Sequence, residues 1–598
     1  MPYFPTIPES YTTQQVTDVF QGYNHNLKIG DGEFYDMKNL TSSYYPLLAN
    51  REKRGTVSTL NNPHGLLAKS KLAYIDGTRL YYDGVDLTNY LDSKGLVISE
   101  DERMLPKQIL SMGAYIVIYP DKLYINTADY TDCGMIEASF TSAENEAISY
   151  AICKADGTDY GEPTISSTEP LEPKNGTLWI DTSNNIHSLK QYSETSKMWV
   201  QVATVYTKIS CPGIGVPFAK YDGVTISGCK AAEGVGVESQ IEALNGSKVI
   251  YDKGDNYIVV VGLLDQAYTQ ETDSISVKRS MPDLDFITEA QNRLWGCKYG
   301  LVDGKTVNEI YCCALGDFKN WNQFLQLSTD SYVASVGTDG PWTGAVTYLG
   351  YPIFFKENCL HKVYISSSGA HQIVDTACRG VQQGSHNSLV VVNETLFYKS
   401  VTDICAYDGS LPGSVSPQFG TERYYDASAG AIGDKYYVSM RDKYDKWHLF
   451  VLDTSKGFWH HEDNTHAIDF ARCDGELYYI DAANNALMTV GGSKGTLEND
   501  VEWSATTGIM GYTTIEQKYI SRFNLRMKLP IGSKADMYIQ YDSDGTWHHA
   551  GHMEGTGTKT FMLPVRPRRC DHFQFKIEGT GEIRIYSFAR ILEQGSDE

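Results

Sequence analysis

Short apolar strands broken by tight turns recur along this chain at intervals that few architectures can absorb. KLAYIDGTRLYYDG (71–84), AYIVIYPDKLYINTAD (114–129), NRLWGCKYGLVDG (292–304), TLFYKSVTDICAYDG (395–409), KYYVSMRDKYDKWHLFVLDTSKGFW (435–459) and GELYYIDAANNALMTV (475–490) each run or alternate apolar and then break at Asp-Gly, Asn-Asn or a Lys/Asp cluster. Those breaks are hairpin signals. The strand starts fall near 72 and 113, then near 294, 347, 395, 436 and 476, spaced about 40–50 residues apart within each run. That is the blade period of a β-propeller, four antiparallel strands to a blade. Helical periodicity is almost absent. A β-sandwich array would place its strands about 8–12 residues apart with no longer period. The expected fold is all-β: a propeller of about 6–8 blades, with an inserted small β module and a C-terminal β-sandwich.

Two regions interrupt the period. From about 134 to 249 a small-residue stretch (EASFTSAENEAISYAICKADG) leads through the Pro-rich EPTISSTEPLEPKNG (162–176) into TLWIDTSNNIHSLKQYSETSKMWVQV. Pro cannot donate to a central strand, so this segment reads as a linker to a small meander inserted in a blade loop. After GGSKGT (491–496), closely spaced alternating strands such as YISRFNLRMKL and ADMYIQYDSDGTWHHAG indicate a C-terminal sandwich of about 100 residues. The division is therefore a strap at 1–60, first blades at 61–133, inserted modules at 134–249, remaining blades at 250–495 and the sandwich at 496–598.

Composition narrows the function classes. The 598 residues exceed what one core holds. A hydrophobic fraction of 41% is that of a folded chain, and 42 tyrosines suit sheets and subunit contacts. With 51 basic against 74 acidic residues the formal charge is −23, which argues against wrapping around nucleic acid. None of the 12 cysteines forms a C-x-x-C pair; all read as reduced packing residues, the adjacent Cys312 and Cys313 on opposite sheet faces. The start MPYFPTIPES has neither a basic start nor an apolar core, so it is not expected to be a secretory leader. No apolar run is long enough to span a membrane.

Candidate chemical motifs read as structural. Gly491-Gly492-Ser493-Lys494-Gly495 fits the nucleophile-elbow spacing but leads to a strand instead of a helix. His461-Glu462 and His466 are spaced five apart, wrong for two ligands on one helix face. Gly304-Lys305-Thr306 lacks the leading glycine of a phosphate loop, position 299 being Tyr. Ser543-Asp544-Gly545-Thr546-Trp547 reads as a turn with a packed Trp. Trp179, Tyr192 and Trp199 form either a sugar-stacking surface or module core, the second more often the case. No catalytic, cofactor-binding or metal residue is expected, no cofactor, and no enzymatic activity.

Order along the chain carries a resemblance. FQGYNHNLKIGDGEFYDMKNLTSSYYPLLANREKRG (20–55), with its Arg51-x-x-Arg54-Gly55 exit, is followed by FITEAQNRLWGC (286–297) and EIYCCALGDFKNWNQF (309–324). Then come GPWTGAVTYLGYPIFFKENCLHKVY (340–364), GVQQGSHNSLVVVNETLFYKSVTDICAYDGS (380–410) and FQFKIEGTGEIRIYSFARILEQGSD (573–597). Together these resemble the β-propeller virion proteins of tailed phages, the group of tail nozzle, hub and tail-stabilisation proteins. The resemblance covers about two thirds of the chain, and 134–249 departs from it. It implies a ring of identical subunits, commonly six, around the channel by which DNA leaves, docked to adaptor or portal-side and other tail proteins. An acidic wall would let DNA pass without specific binding. Residues 134–249, absent from the family's basic plan, would bind fibres or another virion protein; the location would be the virion, after synthesis in the host cytoplasm, with no membrane contact. A host-receptor or glycan-binding tail protein, or a glycan-degrading propeller, are the other readings.

Overall fold

A computed structural model describes residues 12–100, 107–302, 304–365, 370–511 and 515–594. The absence of a leader, read from residues 1–10, falls outside them. The chain is an all-β propeller with an inserted β module and a C-terminal β-sandwich.

Among the described residues seven blades form the disc, five as separate four-stranded sheets, the sixth as part of a larger sheet and the seventh within a five-stranded one. Their innermost strands are Pro63–Ala68, Gln108–Met112, Phe286–Ala290, Gly344–Tyr348, Val390–Val392, Tyr424–Ile432 and Ala467–Cys473. These follow one another around the axis, Gly344–Tyr348 reaching blade five through the turn His386–Ser388, and Ala467–Cys473 packs back on Pro63–Ala68 to close the ring. The strands that set the period in the sequence are the second strands, one per blade: Leu72–Asp76, Tyr115–Tyr119, Arg293–Val302, Tyr351–Lys356, Thr395–Lys399, Lys435–Asp442 and Glu476–Asp481.

They read as apolar runs because each blade is covered on both faces. Every residue of ELYYID (476–481) is buried. Side chains on opposite faces feed separate cores on either side of the blade. Blade three shows this at adjacent residues: Cys312 joins the core shared with blade four and Cys313 the core shared with blade two. All twelve cysteines are free thiols, eleven of them buried. Turn chemistry follows the strands, as at Asp474-Gly475, where both residues take positive φ (50° and 79°) to join two strands of blade seven.

Blade seven takes its fourth strand from the start of the chain. Gly55–Thr59 pairs with Ala486–Thr489, so the ring is closed by a strand from each end of the sequence. The preceding residues are woven into the C-terminal domain. Outermost strand Phe458–Asp463 of blade six pairs with Tyr23, and Glu33–Lys38 pairs with Glu502–Thr507. Blade six and one sandwich layer thus form a single ten-stranded sheet. The second layer holds Leu48–Asn50, Arg584–Gln594, Lys518–Leu529 and Gly557–Pro564, with Thr12–Thr17 on its edge. One core runs from Phe397 and Tyr436 in the blades to Phe523 and Phe575 in the sandwich.

A cluster of charges locks this joint. Arg54 donates to Glu462 (2.6 Å) and Asp463 (2.8 Å), and Arg51 lies 3.8 and 3.6 Å from the same carboxylates and pairs with Glu498. Burial works to raise the Asp463 carboxyl and is the largest single effect, but the Arg54 guanidinium, Thr465 and Arg51 together outweigh it and hold it down to about 2.

The insertion between blades two and three extends to Arg279, not to 249. Its edges meet where Ala138–Thr141 pairs with Ser276–Arg279. Tyr257–Val261 and Tyr268–Gln270 pair inside it, because their alternating apolar residues (Ile258, Val260) complete the core of Ile148, Ile209, Val224 and Val277. Arg279 fastens its base by donating to Asp222 (2.5 Å) and to the Ile136 carbonyl (3.0 Å). A smaller four-stranded sheet, Thr164–Ser166 to Met198–Gln201, is nested inside; Thr164–Ser166, in the Pro-rich stretch, is its edge strand and runs parallel to Leu178–Asp181. Among the described residues no helix is long and apolar enough to cross a membrane.

Candidate functional site

Residues at or just ahead of the start of the inner strands converge at one mouth of the propeller axis. Blades three to seven contribute Asp285, Trp342, Asn387, Asp426 and His466 to a cavity of about 530 Å³. Its walls are set by the fold. Pro341-Trp342-Thr343 leads directly into Gly344–Tyr348, and a bulge between Tyr425 and Ser428 turns Asp426 out of the strand at φ 53°. Positive φ in a non-glycine residue is costly and concentrates at sites. Gly384 makes room for it: a Cβ there would come 2.7 Å from the Asp426 carboxylate.

Two features give the mouth a chemical character. The first is an aromatic platform, the His466 ring stacked on Trp447 with centroids 3.5 Å apart and planes 8° apart. Burial lowers the His466 pKa and pushes His386 down to about 4, so neither ring carries charge at neutral pH. The second is hydrogen-bonding capacity left unused. Trp342 Nε1, Thr343 Oγ1 and Ser428 Oγ are buried without partners on residues that line the cavity. Buried polar groups are rarely left so. The two carboxylates are held in place: Asp285 by Lys298 (2.9 Å) and the Tyr299 amide (2.8 Å), Asp426 by Arg441 (2.8 Å).

None of the motifs flagged in the sequence enters this mouth except His466. Ser493 donates to Glu476 (2.5 Å), whose other carboxylate oxygen accepts the Gly491 amide (2.8 Å); the Gly-Gly-Ser-Lys-Gly run is a turn wrapped on the ring-closing strand. His461 faces the Met37 carbonyl (2.9 Å) and His448 (3.3 Å), Glu462 pairs with Arg54, and His466 lies on Trp447, so the three diverge. Gly304 turns a hairpin into Lys305–Cys312. In the 543–547 turn, Asp544 accepts the Thr546 amide (2.9 Å) and Trp547 lies beside Lys576. Trp179 and Trp199 meet edge-to-face at 5.3 Å, Tyr192 and Trp199 at 5.5 Å, and Trp179 is buried. Among the described residues no group of three His, Cys, Asp or Glu is arranged to hold a metal ion. The mouth residues lacked a sequence signal because they come from five different blades with no common local pattern; four lie just ahead of a blade's first strand and Asp426 at a bulge within one.

No protein-family model and no curated protein matches the chain. Solved structures similar to it include the exo-β-1,3-galactanase of Phanerochaete chrysosporium with galactose, at 7% identity and TM-score 0.22, covering 50% of this chain and 95% of that one. The extracellular domain of a hybrid two-component system from B. thetaiotaomicron is 9% identical with TM-score 0.24, covering 91% of each chain. An engineered GH43 glycoside hydrolase with endo-xylanase and exo-arabinofuranosidase activity is 10% identical with TM-score 0.20, covering 53% of this chain and 97% of that one. This likeness reaches the fold alone. It nonetheless corrects one expectation: with hydrolases among the similar structures, the reading of a chain without enzymatic activity is withdrawn.

Proposed function

We propose that this propeller recognises carbohydrate at its axial mouth. The observation that carries the reading is the coincidence, in one concave site, of a stacked Trp447–His466 platform with two fixed carboxylates. A sugar ring presents an apolar C–H face and a rim of hydroxyls, and such a site offers a surface for each. Binding to a panel of oligosaccharides by calorimetry tests it. Trp447→Ala is expected to weaken binding about tenfold, the loss of one stacking contact. Assaying released reducing sugar on wild type and Asp426→Asn separates recognition from cleavage. A panel with no binder, or binding that Trp447→Ala leaves unchanged, overturns the reading.

A second reading, a ring subunit of a tailed-phage particle, is favoured by a different observation. The 20–55 segment that carries part of the resemblance is woven between blade six and the C-terminal sandwich, joining disc and appendage in one continuous sheet. Native mass spectrometry of the purified chain tests it. A closed ring, commonly of six copies, is the expected species, and a monomer at all concentrations counts against it.

A further inference from the structure

The C-terminal sandwich holds an unusual stretch for so acidic a chain. Between Gly555 and Cys570 there are four cations, Lys559, Arg566, Arg568 and Arg569, and no acidic residue. The loop that carries the arginines is pinned at both ends. Val565 is buried in the main core and its amide bonds the Ser521 carbonyl (3.1 Å); Cys570 is buried and exchanges backbone bonds with Lys518 (2.8 and 3.1 Å). The four residues between, Arg566-Pro567-Arg568-Arg569, are all exposed. Sequence and anchoring thus hold a short cationic arch away from the core.

Beside this arch lies a groove of about 700 Å³, lined by Arg566 and Arg568, by His548 and His549, and by Tyr541. Its cations are positioned. The Arg568 guanidinium lies 5.1 Å from the centre of the Tyr541 ring, 3.2 Å from His548 Nε2 and 3.4 Å from Asp544. His549 is held by Asp536 (2.9 Å). Ile539, Ala550 and Pro564 supply an apolar side.

We infer that this groove binds a linear anionic polysaccharide, its carboxylates against Arg566 and Arg568 and its sugar faces against the apolar wall. Guanidinium groups match carboxylates in geometry as well as charge. Duplex DNA fits the site less well. It carries a charge every ~1.7 Å and requires a broad basic field, whereas this arch is narrow and the chain as a whole repels phosphate. One carboxylate per sugar is the sparser pattern that a few arginines can meet. The groove is separate from the propeller mouth and does not depend on the reading given for it.

The test is calorimetric titration of the full chain with polygalacturonate, with neutral dextran and a DNA duplex run in parallel. Polygalacturonate is expected to bind at low salt, more weakly as salt rises, and dextran not at all. The double variant Arg566→Glu/Arg568→Glu should lose about tenfold or more, and Arg566→Lys/Arg568→Lys should retain the salt-dependent part. Both arginines are exposed, so these variants keep the fold. No polygalacturonate binding at low salt, tighter binding of DNA, or an undiminished double Glu variant would each overturn the inference.

Discussion

Replacing Arg54 by Met tests whether the charge cluster holds the strap, blade six and the sandwich together. Arg54 and Glu462 are about 4 and 5% exposed, and the substitution removes bonds of 2.6 and 2.8 Å from two carboxylates that stay in place. Stranding buried charges in this way costs about 3–5 kcal/mol. Arg51 remains 3.8 and 3.6 Å from the same carboxylates, which sets the expected loss near the lower end, about 3 kcal/mol. Asp463 gives an independent figure: lowering its carboxyl from 3.8 to about 2 corresponds to about 2 kcal/mol of that stability. Because the folded value is the depressed one, this part is present above pH ~4 and lost as pH falls toward 2. Urea unfolding followed by tryptophan fluorescence is the assay, urea being uncharged and so not screening the pairs. The variant should unfold at lower urea at pH 7 and lack the Asp463 part of the acid limb. A loss under about 1 kcal/mol, or an acid limb that overlays the wild type, would refute the reasoning.

Gly55→Ala should destabilise by about 1–3 kcal/mol, read as a lower melting temperature, because its Cβ would meet the Lys494 carbonyl and, at 2.7 Å, Thr489 Oγ1 at the ring closure. Burial raises the Asp469 carboxyl to about 7, against the pull of the Phe470 and Leu66 amides. A folded pKa above the unfolded one means that stability falls as pH rises from ~4 to ~7, and Asp469→Asn should flatten that slope in melting curves. Thr343→Val keeps the shape and removes an unpartnered buried hydroxyl, so the protein should gain up to about 1 kcal/mol, read as a higher melting temperature.

The propeller was legible because each blade contains a second strand buried on both faces, and such strands stand out as apolar runs between turn residues. Seven of them can be counted in the sequence. First strands were harder to see: Ala345, Val346 and Thr347 in the Gly344–Tyr348 strand are only half-buried. The end of the insertion was missed because Tyr257–Val261, with its YIVVV run, has the pattern of a blade strand; partners distinguish them, and partners are not local information. The same limit hid the mouth. Trp342, Asp426 and His466 are more than 30 residues apart along the chain, and only the closing of the disc makes them neighbours.

A ring whose final blade borrows a strand from residues 55–59 imposes an order on biosynthesis. The nascent chain emits that strand more than 400 residues before Ala486–Thr489 leaves the ribosome to receive it. Until then its edge is open, and open strand edges invite pairing with the wrong partner. A chain truncated before 486 keeps the opening strand but has nothing to receive it, so early termination should yield an aggregation-prone product and not a smaller working disc.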